Sequence, residues 1–566
     1  MYSEIKDNYG IRQSCEWIPV EGEEKRMDFI KDELESGFNE LINRTDSIPQ
    51  FVEKSRAFIQ KYDEMIIWAS INFQRDTSNE QYEFRLNEVQ REMKPLLADY
   101  KKRIYDRLLD QTEETRMHIV LRNQKKIFSE KNIRIRKAED RQINHYIQFT
   151  GSLQSTDEKP VLIHDLTASL FEPDEEIRET AYRAIHHSYQ NHAESLQTVF
   201  SELIRLRHEK ARNLGLENYV EHAFLELGRI DYTSKECKQL ACAVQKYMIP
   251  LKEVFQYEQA QFLGKEQLRP WDVRISPYSD VQETSSASVE NLLETVGTIL
   301  INLDPSFYKV LKELKSQKHL DLEARAHKTS GGFCEFLPES ETSFIFMNRT
   351  QTFDDVVILI HELGHAIHHD LMKEMPDNFQ HIPMEVAEFA AMTLELLSME
   401  FWHVAFDDEI NIRKAKLEQF RLIIEFLPQT IIVDQFQEWL YRNPVHTVEE
   451  RNEQFISLRD QFDSNAIDWS TLSSWKGEEW LSIVHLFETP FYYIEYAMAQ
   501  IAALQMYRKY KERPTQTIEA FKTALRATRT HSVKEIYALA GVTFDISESD
   551  MQELVSFIHH EINELK

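Results

Sequence analysis

The 566-residue chain predicts a mainly α-helical fold, and three observations carry that expectation. Glycine is sparse, with 13 in the whole chain, which disfavours a turn-rich β architecture. Long charge-rich stretches repeat their apolar residues at three- and four-residue spacing. At 42% hydrophobic and 11% aromatic the chain can bury a large interior, yet it is too long for one simple core. Several packed subdomains, or one large helical body with a lid, are therefore expected.

From about residue 25 to 150 the pattern is helical. Arg56–Phe73 and Tyr82–Lys126 read as long helices, the second with Leu86, Val89, Met93, Leu96 and Leu97 along one stripe. Such helices form arms or lids as readily as they extend a bundle. Another helix is expected from Pro173, and a further one through Leu203–Asn213 that stops near Gly215. Pro270-Trp271-Asp272 and the serine-rich Ser276–Ser288 mark a connection between substructures. The paired glycines Gly331-Gly332 signal a turn or a close approach, and Ser343–Asn348 reads as a short strand. A strand edge here either binds an extended peptide or serves only a structural hairpin.

Composition narrows the functional classes. A net charge of −29 argues against nucleic acid, which needs a basic face. An acidic channel would favour basic or neutral peptides, but plain solubility is the better explanation of the charge. The four cysteines, Cys15, Cys237, Cys242 and Cys334, form no C-x-x-C pair, which suits a reducing compartment. Met1–Asp7 lacks the basic and apolar regions of a signal peptide, and no apolar run approaches a membrane span. A cytoplasmic protein without a membrane partner is expected. The sequence leaves its oligomeric state open.

The chemistry-bearing stretch is His361-Glu362-Leu363-Gly364-His365, which follows the apolar run Val356–Ile360. On a helix, His361 and His365 project from one face and can bind one Zn²⁺, with Glu362 placed to reach a water on it. A shuffled chain of this composition would hold about 0.08 such matches. The plain alternative is a surface helix with two solvated histidines. It fits poorly with five consecutive apolar side chains, which imply a buried helix. This pattern points to a zinc peptidase using Glu362 as general base.

A catalytic zinc takes a third protein ligand. Pro383–Glu395 supplies candidates, because Glu385, Glu388 and Glu395 share one helical stripe among apolar neighbours. Glu388 is the expected ligand and Glu385 the alternative. Glu395 is then placed to accept from the far nitrogen of a ligating histidine. The competing reading is an acidic ridge facing solvent. His368 and His369 are expected to be structural. Further on, His485-Leu486-Phe487-Glu488-Thr489-Pro490-Phe491-Tyr492-Tyr493-Ile494-Glu495-Tyr496 offers phenol and imidazole donors that could hold an oxyanion. By composition alone these aromatic residues read as core packing.

His361-Glu362-Leu363-Gly364-His365-Ala366-Ile367-His368 resembles the extended signature of the thimet oligopeptidase family. The Val386–Glu395 helix, the Gly331-Gly332-Phe333-Cys334 turn and the Pro490–Tyr496 segment are similar to elements of that family too. The nearest branch is the oligoendopeptidase F group with its Pz-peptidase-like members. The resemblance is strong over residues 200–510 and weak over the N-terminal third. It implies a two-lobed, mostly helical zincin-type molecule with a deep channel, a small β-sheet next to the zinc helix, and one zinc per chain. It implies endopeptidase action on oligopeptides, with Tyr496 and His485 as transition-state donors. Tyr492, Tyr493, Gly331 and Gly332 would line the substrate site. The expected division is an N-terminal helical lobe or lid over 1–188 and a catalytic domain over 189–566.

Two other classes remain. A di-iron carboxylate protein could use Glu362-x-x-His365 and Glu400-x-x-His403 with Glu388 and Glu395, but would leave His361 without a role. A silent relative that binds peptides without cutting them would have no need of Glu362.

Overall fold

A computed structural model describes residues 24–111, 116–151, 153–154, 161–281, 287–373 and 382–566. Cys15, Met1–Asp7 and positions 282–286 of the serine-rich stretch lie outside the described residues. Helices dominate, and one small sheet stands beside the motif helix.

The N-terminal helices pack around their own apolar core, which includes Leu34, Phe38, Phe51, Met93, Ile104 and Leu121. Here α1 (Ile48–Arg75) begins at the Ser47–Gln50 capping box. The single helix expected over Tyr82–Lys126 is broken instead. Glu80–Glu88 passes into a π-helical turn at Val89–Met93, and Lys94–Gln111 follows. Pro95 accounts for this, since its ring displaces the carbonyl one turn earlier and it has no N–H to donate. A second, much larger core runs from Tyr146 on α2 (Glu130–Gly151) to the C-terminal helix.

In that larger body, α3 (Ala193–Arg212) ends where expected, with Gly215 at φ +75°. A short α4 (Tyr219–Glu226) follows, capped by Asn218. The sheet has three strands in the order β1-β3-β2: β1 is Leu320–Asp321, β2 is Phe333–Leu337 and β3 is Thr342–Phe346. β3 runs antiparallel to β2 and parallel to β1. The central β3 is buried throughout, which explains why its sequence reads as a continuous apolar run. β2 is an edge strand.

The motif helix α5 (Asp354–Met372) and the carboxylate helix α6 (Met384–Ser398) lie against each other at the centre of the large core. Asp355 anchors the start of α5 by accepting from Thr350 N and Gln351 N, both at 2.8 Å. Val356, Leu359 and Ile360 are buried as the apolar run implies, while Ile358 is exposed. A long α7 (Glu409–Arg442), the short α8 (Val484–Glu488) and α9 (Tyr493–Glu512) complete the wall around them. Small residues make the α6–α9 seam possible, with Ala390 and Ala391 on one helix and Ala499, Ala502 and Ala503 on the other, all fully buried.

Candidate metal centre and active site

The i, i+4 spacing places His361 and His365 on one face of α5, and their rings lie 4.9 Å apart. Glu388 reaches them because α5 and α6 nearly touch. A Cβ on Gly364 would stand 2.5 Å from the Ala391 Cα and 3.1 Å from the Ala390 carbonyl oxygen. Glycine is required there by close approach. As a result, one donor atom from each of His361, His365 and Glu388 falls within 4.8 Å of the others. His361 Nε2 stands 3.5 Å from Glu388 Oε2.

Glu395 meets the other side of His361. Its Oε1 accepts from Nδ1 at 2.5 Å, and Gln419 Nε2 donates to its Oε2 at 3.2 Å. With Nδ1 held by Glu395, Nε2 is the nitrogen on the Glu388 side, where a cation would take the place of the ring's second proton. The acidic stripe is therefore not a solvated ridge, since Glu385 and Glu388 are buried. Glu385 does not join the cluster. It accepts from Tyr232 and lies 3.6 Å from Arg229.

The electrostatics call for a cation. Burial opposes charge on His361, but the hydrogen bond to Glu395 and the carboxylates of Glu395, Glu388 and Glu362 raise its pKa to about 10. Burial pushes Glu362 up to about 7, helped by Glu388 and Glu395 and opposed by His361. Glu388 is also pushed up, chiefly by burial. His365 is held well below the usual imidazole range by burial and its neighbouring histidines, which keeps it neutral. Oε2 of Glu362 and Oε2 of Glu388 are buried without hydrogen-bond partners. Buried carboxylate oxygens are costly unless a positive group meets them. Two imidazoles and one carboxylate are the donor set of a three-ligand metal site with an open fourth position. The residues present fit a divalent metal ion.

The glycine turn and the tyrosine segment face this cluster. Gly331 takes φ +92°, and a Cβ on Gly332 would come 3.3 Å from Glu362 Oε1. Asn348 pins the turn by donating to the carbonyls of Thr329 (2.8 Å) and Gly331 (3.0 Å). The Tyr492 hydroxyl donates to Glu388 Oε1 at 3.2 Å. Tyr496 packs edge-on to Tyr492 at 5.1 Å. His485 lies 4.7 Å from the Tyr493 ring and 6.3 Å from that of Tyr496. Burial keeps His485 below its ordinary pKa, and its Nδ1 has no partner. Thus the predicted residues His361, Glu362, His365, Glu388, Tyr492 and Gly332 come together, with His485, Tyr493 and Tyr496 in one aromatic group beside them. His368 bonds Thr528 and His369 bonds Ser343, both structural contacts.

Sequence reasoning did not single out Gln419, Arg229, Tyr232 or Gln437. The di-iron alternative finds no support, because Glu400 is engaged by Tyr507 and Lys511. Among the described residues the His361–His365–Glu388 group is the one cluster able to hold a metal.

Residues 170–555 match the sequence profile of Peptidase family M3. An oligoendopeptidase F homolog of Lactococcus lactis is 21% identical, over 94% of this chain and 95% of that protein. The structure of PZ peptidase A with an inhibitor superposes with a TM-score of 0.83 at 21% identity, covering 94% of this chain and 97% of that one. Oligoendopeptidase F from Enterococcus faecium superposes with a TM-score of 0.64 at 14% identity, covering 96% and 98%. These likenesses establish a shared fold.

Proposed function

Because the chain belongs to peptidase family M3, and is by that membership a metalloendopeptidase, we propose that it hydrolyses peptide bonds in short oligopeptides with one zinc ion per chain. The observation that carries the reading is the convergence of His361, His365 and Glu388, with the Glu362 carboxylate buried next to His361 and one oxygen unpartnered. Zinc bound there supplies Lewis-acid activation of a water and of the scissile carbonyl. His361 and His365 each present one neutral imidazole nitrogen, and Glu395 holds the His361 tautomer that allows it. Glu362, whose affinity for a proton is raised by burial, takes a proton from the attacking water and delivers it to the departing amine. Tyr496 and His485 would donate to the oxygen that becomes negative during attack. Tyr492 and Tyr493, with the Gly331-Gly332 turn, line the path of the peptide. A division into an N-terminal helical lobe or lid over 1–188 and a catalytic domain over 189–566 belongs to the same proposal. A cytoplasmic location accompanies it. No described helix is long and apolar enough to cross a membrane.

The test is cleavage of a quenched fluorescent oligopeptide, with metal analysis of the same sample. About one zinc per chain and cleavage abolished by chelator are expected. Glu362→Gln should keep its zinc and lose nearly all turnover, on the order of 10³-fold or more. Cleavage that ignores chelator, or an active Glu362→Gln chain, overturns the assignment.

A further inference from the structure

The helix that carries His485 and the helix that carries Tyr493 and Tyr496 are joined by the short non-helical link 489–492. α8 ends at Glu488 and α9 begins at Tyr493. Between them Phe491 adopts φ +69°, in the left-handed region that a bulky side chain rarely enters. A residue persists there only where its surroundings over-determine it.

Two buried side chains from other parts of the large body hold it. Gln437, on α7, accepts from Phe491 N through its Oε1 at 2.6 Å. Arg229, just after α4, donates from Nη2 to the Phe491 carbonyl at 2.5 Å. Both backbone groups of the left-handed residue are thus satisfied by side chains far away in sequence. The same Nη2 donates to Glu495 Oε1 at 2.8 Å, and Nε does so at 3.1 Å, which fixes the first turn of α9. Arg229 also lies 3.6 Å from Glu385, one turn before Glu388 on the carboxylate helix. Arg207, on α3, donates to the carbonyls of Leu486 (3.0 Å) and Phe487, the C-terminal end of the short helix bearing His485.

We propose that Gln437 and Arg229 are positioning residues that clamp Phe491 and so hold the Tyr492 hydroxyl on Glu388 and aim the Tyr496 hydroxyl at the reacting carbonyl. Neither side chain touches substrate. Their effect passes through the tyrosines, because Tyr492 directly follows the clamped residue and Tyr496 lies one helical turn beyond it. The kinetic part of this proposal rests on the peptidase reading above; the geometric part does not.

Gln437→Met removes the acceptor while keeping side-chain length. It should lower kcat about tenfold, change KM by less than about threefold and leave zinc content unaltered, the signature of an interaction made in the transition state. In a chain already carrying Tyr492→Phe and Tyr496→Phe, the same substitution should lower kcat by no more than about twofold, because coupled residues are not additive. Independently of activity, 3-fluorotyrosine at Tyr496 should give a ¹⁹F resonance that shifts or broadens in Gln437→Met. Should that variant not fold, Gln437→Asn, which withdraws the acceptor by one methylene, takes its place in every measurement. An unchanged kcat, an undiminished loss in the chain lacking both hydroxyls, or an unaltered ¹⁹F line overturns the clamp. If the parent chain shows no chelator-sensitive cleavage, the peptidase reading fails, and the ¹⁹F comparison still decides the clamp.

Discussion

Asp434, on α7, is 3% exposed, with Arg229, Glu438 and Lys238 as its charged neighbours and Gln435 donating to it at 3.1 Å. Burial pushes its carboxyl up to about 7, and Arg229 only partly offsets this. A carboxyl raised in the fold favours the protonated native state. Its ionisation therefore costs stability that develops as pH rises from the unfolded value of about 4 to the folded value, and is complete above it. Asp434→Asn should raise Tm clearly at pH 8 and little at about pH 4, with an effect on the order of a few kcal/mol at the higher pH. An equal gain at both pH values, read by thermal unfolding, would assign the effect to packing instead.

The distance between α5 and α6 sets how near Glu388 comes to His361 and His365, and Gly364 sets that distance. A methyl group at this position must displace the Ala391 backbone, not the end of a flexible side chain. Gly364→Ala should destabilise the fold by about 1–3 kcal/mol through overpacking. It should also weaken zinc binding by about tenfold or more, because Glu388 moves away with its helix. Zinc titration against a competing chelator, with denaturant unfolding alongside, separates the two effects. An unchanged zinc affinity would show that the close approach is structural only. At this scale the sequence was informative where the signal is local. His361 and His365 lie one turn apart, and Glu388 and Glu395 two turns apart, so periodicity alone placed each pair on a face. Arg229 and Gln437 were invisible for the opposite reason. Arg229 meets Phe491 across 262 positions, and Gln437 meets it across 54. No local spacing encodes such a contact. The break at Val89–Met93 lay between the two cases: Pro95 signalled it, but the apolar stripe runs through it in register.

Across the whole molecule, the N-terminal helices meet the sheet through two carboxylates, Glu64 of α1, which accepts from Ser340 N at 2.7 Å, and the more heavily engaged Asp321. Asp321, on β1, accepts from Arg75 of α1 at 2.7 Å, from Arg325 at 2.6 Å and from Lys328 at 3.0 Å. Backbone bonds beside it join the same parts, from Thr77 N to the His327 carbonyl (2.7 Å) and from Thr329 N to that of Gln74 (2.9 Å). Burial raises the Asp321 pKa, but the three cations outweigh it and hold the carboxyl well below the usual range. Its contribution is thus complete above the unfolded value of about 4 and is lost as pH falls below that. Asp321→Asn leaves the buried Lys328 ammonium without its counter-ion and should cost roughly 3–5 kcal/mol at pH 7. The gap between variant and parent should narrow on acidification toward about pH 3. A gap independent of pH, in denaturant unfolding at both values, would remove charge from the explanation.

The placement of β2 at the border of its sheet has a consequence for which chains can be cut. Its outer row of amide and carbonyl groups has no strand partner among the described residues, and Gly332 brings that row to the side of Glu362. If the peptidase reading holds, a guest docks by completing the row, and must arrive with its own main-chain donors and acceptors uncommitted. A folded protein has already used those groups internally. Discrimination against globular proteins then begins with which main-chain bonds are still free, before the size of any entrance matters.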